Sequence, residues 1–439
     1  MSRSVFIAVI AVLPVLPVLV LQRVAPAQAA VRAGIAVRVV TPDPLLPVSG
    51  GIGPAQPARE QKGELTVRAL VLGDESTRVA FVSMDFLGFP AVLGDRVRAK
   101  VPDIPADNIL IGATHTHSGP DMYGFPDGKG GTATDLKYID SVIEATAAAL
   151  REAAAGLRPV TLKIATGEAR GKIAYNYYAP DLYDPRVSVI QAVGADGKAL
   201  ATLVNYAIHP EVIGNDRGIL SPDLVGPLYD RIAESGGGTG IFMNGAQGGM
   251  VTADNRVATA GNRRPDGEAR TWEECVRIGR VLADEALRVV EGAPTQVSPG
   301  LRVAARTVRF PVDSPVMREV MRGSPLGYKA DADGKVSTRV VLVRVGTAQI
   351  LTIPGEALPN IGYYLKRKMK GEHNLLFGLT NDAFGYILTA VDWGSFKRYD
   401  YITRTSLGER TGEILISEGL KLIAENPAPA WEKAPGKKL

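Results

Sequence analysis

The sequence predicts a mixed α/β (α+β) fold built from repeated units of hairpin, helix, strand and helix, with helices packed on the sheet faces and strand ends converging on one cleft. Three observations carry this reading. First, Leu65–Asp85, Val187–Pro210 and Arg339–Glu356 are runs of β-branched and apolar residues folded about a tight turn, and they end at Asp85, His209 and Glu356. Second, about thirty to forty residues after each hairpin another apolar strand runs into a polar turn: Gly112–Pro120, Phe242–Met250 and Leu379–Ile387. Third, the segments between have helical spacing, as in Ile139, Val142, Ile143 and Leu150 with Gly156 as a stop.

The strand ends carry the chemistry. The chain has four histidines, and His115 and His117 stand two apart at the end of the apolar run from Asn108 to Ala113. In a strand, residues i and i+2 project to one face, so both imidazoles can reach one point. An H-x-H pair alone is equally a hydrogen-bonded pair on a strand. His209, closing a second apolar run, favours a site, and neutral imidazole is a common ligand of zinc. His373 lies in a polar "KGEHN" turn expected to face solvent.

At 439 residues, 46% hydrophobic and 22% charged, the chain can bury a sizeable core. Residues 1–29 read as a secretory signal peptide: Arg3, an uncharged apolar stretch from Val5 to Leu21, and the small-residue pattern Ala27, Gln28, Ala29. A retained membrane anchor is the alternative. The leader implies a secreted or periplasmic protein. Removing it takes Arg3 and Arg23 from the net charge of +4, leaving no electrostatic footprint for nucleic acid. Cys275, the single cysteine, falls in phase with Trp272, Ile278 and Leu282 and is expected in the core. Residues 30–424 form the expected folded domain, and 425–439 a flexible tail rich in Pro and Lys. The long irregular stretches after His117 (122–135) and after Gly248 (252–271) leave site turns and are expected to wall or cover a substrate.

With these residues in place, the chain resembles the catalytic region of the neutral, non-lysosomal ceramidases. "AGIAVRVVTPD", "ATHTHSGP", "NYAIHP", "IPGE" and "GYILT" follow that family's order over nearly the whole mature chain. On this resemblance the chain is expected to end near the close of that region, without the family's C-terminal β-sandwich domain. The resemblance implies one zinc per chain held by His115, His209, Glu356 and Tyr386, with His117 beside the metal to orient substrate or oxyanion. Glu356 and Tyr386 count as catalytic with His117. Asp85 is a candidate acceptor for an imidazole N–H, or else a strand-end cap. Asn176, Tyr177, Asn244, Gln247 and Thr252 are weaker candidates for the substrate wall or for support of the ligands.

Zinc with an open position lowers the pKa of bound water to roughly 7 and polarises a carbonyl, which makes metal-bound water the expected nucleophile on an amide or ester. Two departures from the family matter. Val251 stands where the family has a serine, with Gly249 in place of its aspartate, and Tyr177 follows Asn176 where the family has arginine. A valine neither attacks nor donates, and a phenol lacks the guanidinium's charge and fork. The expected function is therefore an exported zinc-dependent amide or ester hydrolase, ceramidase-like, acting on a small-molecule or lipid-like N-acyl substrate. Its only expected membrane contact is peripheral, to reach substrate, and no obligate protein partner is evident. The alternatives are a catalytically degenerate zinc-binding protein of the same fold and a hydrolase of a non-sphingolipid N-acyl substrate. A metallo-β-lactamase-like site is disfavoured because Ser118, Gly119 and Pro120 precede Asp121, and a binuclear barrel amidohydrolase needs more histidines.

Overall fold

The computed structural model describes residues 31–257, 268–296 and 299–427. The leader, nearly all of the tail and the centre of the loop after Gly248 lie outside these residues. Three copies of one four-stranded unit dominate the rest. In the first, strands Arg32–Val39, Thr66–Gly73 and Arg78–Met84 form an antiparallel meander, and helix Ala91–Ala99 crosses over to strand Ile109–Ala113, parallel to the third. Strands Arg158–Glu168, Arg186–Gly194, Ala199–Tyr206 and Thr239–Asn244 repeat the pattern around helix Val225–Glu234. Leu301–Pro311, Lys335–Val345, Ala348–Thr352 and His373–Phe377 repeat it around helix Pro359–Lys368. A second helix closes each unit: Leu136–Ala155, Trp272–Glu291 and Thr411–Glu425.

Period-two alternation sorts the side chains into layers. Leu70, Leu72, Phe81 and Leu110 face the core between the sheets, while their neighbours Ala69, Val71, Val82 and Ile111 face the first unit's helices. The first two units join edge to edge through Arg32–Pro159 and Ala33–Arg158, and with the short strand Thr295–Gln296, which pairs with Arg158–Glu168, they make one nine-stranded sheet. The third unit's four-stranded sheet packs against its inner face, where Phe81 meets Phe377 edge-on at 5.9 Å. Helices cover both outer surfaces.

The structure adds to each unit a leading strand that the hairpin reading leaves out. These strands pair only after long connections, and their half-exposed, charge-bearing pattern has no tight turn to announce them. The helix predictions fare better. Asp135 caps Leu136–Ala155 by accepting from the Tyr138 N–H, and Gly156 follows its last turn. Cys275 is buried with Ile278 and Leu282. His373 corrects the expectation of a solvent-facing turn: it opens a strand beside Ala348, and its ring contacts the Thr166 hydroxyl at 3.2 Å. No helix among the described residues is long and apolar enough to cross a membrane.

Candidate metal centre

In each unit the third and fourth strands run parallel, so their C-terminal ends reach one edge, the place where α/β sheets build sites. His115 follows the fourth strand of unit one, His209 the third of unit two and Glu356 the third of unit three. The turns that present them are tightly built. His115 holds a left-handed backbone (φ 74°), and its N–H donates to the Phe86 carbonyl at 2.9 Å. A Cβ on Gly248 would come within 2.1 Å of the Glu356 carbonyl oxygen, so only glycine lets the second unit's turn lie against that strand.

The imidazoles of His115, His117 and His209 present ring nitrogens within 4.8 Å of one another and could hold a metal ion. The Glu356 carboxylate joins them, with Oε2 3.1 Å from His209 Nε2 and 3.4 Å from His115 Nε2. Backbone carbonyls set the tautomers. His115 Nδ1 donates to the Leu87 carbonyl at 2.6 Å and His209 Nδ1 to the Val251 carbonyl at 2.8 Å. In the neutral rings the Nε2 lone pairs therefore point into the cluster, as metal ligation requires.

The electrostatics favour a cation. Burial pushes the Glu356 carboxyl up, but the His115 and His209 rings outweigh it and hold the group well below the usual carboxylate range. Burial likewise opposes charge on His209, and the carboxylates of Glu356 and Glu211 nonetheless raise it to about 9. Two lone pairs facing one carboxylate need a positive charge between them, either a proton or a metal ion. His117 is brought down to about 3 by burial, which keeps its ring neutral. The donor set, nitrogen with one carboxylate and neutral imidazoles, fits a divalent ion of zinc's type.

Tyr386 pairs with Glu356 on adjacent parallel strands and lines the same cavity; its hydroxyl donates to the Met250 sulfur at 3.3 Å, and burial raises its pKa well above the ordinary phenol. Asp85 does not reach an imidazole. Its carboxylate accepts from the N–H and hydroxyl of Thr66 at 2.8 and 2.7 Å and closes its own hairpin. Asn244 clamps the turns before two histidines, donating to the carbonyls of Thr114 at 3.0 Å and Ile208 at 2.8 Å. Asn176 holds the 177–182 turn through Tyr178, Ala179 and Leu182, and the Gln247 amide is buried without a hydrogen-bond partner.

The sequence reading missed Glu211. Its Oε2 lies 3.6 Å from His117 Nδ1, and burial is outweighed by the surrounding imidazoles and Thr252, which lower its pKa. The signal was present in "HPE", where the residue two after His209 can share its face.

Two cavities meet at His117. One, about 980 Å³ with its open mouth, is walled by Leu87, Tyr123, Phe125, Val320, Phe384 and Leu407 and ends at His115, Glu356 and Tyr386. The loop after His117 supplies Tyr123 and Phe125 as a wall, pinned by Asp121, whose carboxylate accepts from the N–H groups of Tyr123, Gly124 and Phe125. The other cavity, about 730 Å³ with its mouth, is polar and lined by Tyr175, Tyr177, Glu211, Thr252, Asn255 and Arg270.

This fold and site describe a three-unit α/β protein with a buried histidine and carboxylate centre, and comparison with known proteins supplies its relatives. The architecture is that of the neutral ceramidases. The crystal structure of neutral ceramidase from Pseudomonas aeruginosa superposes with a TM-score of 0.69 at 17% identity, covering 93% of this chain and 77% of that one. A ceramidase complexed with C2 superposes at 0.70 with the same identity and coverage. In sequence, neutral ceramidase of Pseudomonas aeruginosa is 26% identical over 185 residues, 36% of this chain and 26% of the relative's length. The aligned stretch thus spans about a quarter of that relative. No family model matches the sequence.

Proposed function

We propose that the protein is an exported zinc-dependent hydrolase of N-acyl amide or related ester bonds. One observation carries this: the histidine and carboxylate cluster sits where an apolar cavity meets a polar one, so an acyl chain and a polar leaving group can lie on either side of the reacting carbonyl. The ceramidase-like fold supports the same chemistry. When bound, zinc supplies Lewis acidity, polarising a carbonyl and acidifying water. His115, His209 and Glu356 would hold it, with Tyr386 completing the set by turning its hydroxyl from Met250, a weak acceptor. His117, neutral and bordering both cavities, is placed to orient the substrate carbonyl, and Glu211 faces its far nitrogen.

Profiling hydrolysis of N-acyl sphingoid bases, N-acyl amino acids and simple esters tests the reading, with fatty-acid release from an N-acyl amide the expected result. Release from none of them leaves the zinc-binding, catalytically degenerate alternative standing, the one favoured by Val251.

Water is the nucleophile in this reading. Val251 is fully buried, and its carbonyl serves only to orient His209. Thr252 follows Val251 and lines the polar cavity beside His117, so it is the hydroxyl to test; Thr252→Ala should keep activity within about threefold of wild type, since a bystander contributes little to the transition state. Trapping an acylated Thr252 would defeat the water mechanism. Tyr386→Phe removes only the phenol oxygen. It should remain folded and lose about 10- to 100-fold in zinc affinity or turnover; wild-type values in both would remove Tyr386 from the ligand set.

A further inference from the structure

Among the described residues, five of the ten exposed large apolar side chains lie at the two cavities or on the segment after Leu388. Ile52 and Tyr401, 37% and 39% exposed, rim the apolar cavity, and Tyr177, 60% exposed, rims the polar one. Phe396 and Val391 are 61% and 83% exposed on the segment linking Leu388 to Ile402. These are not isolated. Ring contacts run from Tyr177 to Tyr178 at 5.7 Å, to Tyr399 at 5.2 Å and to Phe396 at 5.4 Å. Tyr178, Trp393 and Tyr399 in turn pack on the cluster that contains Tyr386, so the exposed aromatics continue from the metal centre outward. Single exposed apolar residues need no explanation, but a chain of rings in contact beside the two cavity mouths marks an interaction surface.

The charge beside it selects the partner. Lys397, Arg398 and Arg404 are exposed along this segment, with Arg398 also donating to the Tyr178 carbonyl. Of the two acids there, Asp392 is engaged by Asn360 and Thr389, and Asp400 is free on the surface. Aromatic rings flanked by Lys and Arg match the interface of an anionic bilayer, where rings sit at headgroup depth and cations reach phosphates. We propose that this rim docks on an anionic lipid surface and presents the mouth of the apolar cavity to it, so that an acyl chain enters without crossing water. The role assigned to the cavity rests on the function proposed above, whereas the docking itself does not.

Co-sedimentation of the purified protein with phosphatidylcholine vesicles, with and without phosphatidylglycerol, tests this. Binding should be tighter to the anionic vesicles and weaken with salt. Val391→Ser combined with Phe396→Ser should lower vesicle affinity at least about tenfold. Lys397→Gln combined with Arg404→Gln should lower it about fivefold per charge on anionic vesicles only. Both variants should hydrolyse a water-soluble short-chain N-acyl amide at the wild-type rate. Absence of vesicle binding, or equal binding by both variants, overturns the proposal. So does a concentration-dependent dimer lost in Val391→Ser with Phe396→Ser, which would make a second copy the occupant. If wild type binds vesicles but leaves the soluble amide intact, docking stands and the hydrolase reading falls.

Discussion

Glu356→Ala should empty the site of metal and reduce hydrolysis by about a thousandfold or more, because among the described residues this is the carboxylate that reaches Nε2 of both His115 and His209, the two imidazoles proposed to hold the metal. The effect exceeds the loss of one donor atom. With the carboxylate ionised, the centre carries a negative charge that favours a cation; without it, His115 and His209 must bind a divalent ion with Glu211, which faces His117, as the remaining nearby carboxylate. Glu356→Gln separates charge from shape, since its amide fills the same space; it should retain the fold and still lose most of the metal. Elemental analysis of protein purified without chelator, alongside thermal unfolding, reads both quantities. Metal content near one zinc per chain in Glu356→Ala would show that the carboxylate is not a ligand. His115→Ala and His209→Ala should lose metal in the same way.

Asn244→Leu should be the most damaging substitution away from the ligands. The Asn244 amide donates to the Thr114 and Ile208 carbonyls, and its oxygen accepts from the N–H groups of Ile208 at 3.2 Å and Gly245 at 2.8 Å. All four bonds are buried, and three of them join segments 36 or more residues apart, so leucine strands those backbone groups with no solvent to replace the amide. At about 1–3 kcal/mol for each unsatisfied group, partly relieved by relaxation, a destabilisation on the order of 4 kcal/mol is expected. The carbonyls concerned directly precede His115 and His209, so the residual folded protein should also bind metal more weakly. Chemical denaturation and zinc titration measure the two effects. Stability within about 1 kcal/mol of wild type would mean that Asn244 does not brace the two turns.

The sequence by itself determined the repeated hairpins, the helices between them and the placement of His115, His209 and Glu356 at strand ends. These rest on local signals: alternation within seven or eight residues, tight turns, caps, and the two-residue spacing that puts side chains on one face. The resemblance already marked the first unit's leading strand at "AGIAVRVVTPD", but the tertiary structure alone decided which strands lead the other two, because Arg158–Glu168 and Leu301–Pro311 find their partners only after long connections and carry mixed polarity. It decided that Asp85 caps a hairpin while backbone carbonyls of Leu87 and Val251 orient the imidazoles, a choice that depends on chain path and not on residue type. It also brought His117 as close to the cluster as the other histidines, set Glu211 beside it, and opened an apolar and a polar cavity on its two sides. In sequence the cavity walls Leu87, Phe125 and Phe384 are indistinguishable from core, since burial against protein and burial against a ligand favour the same apolar side chains.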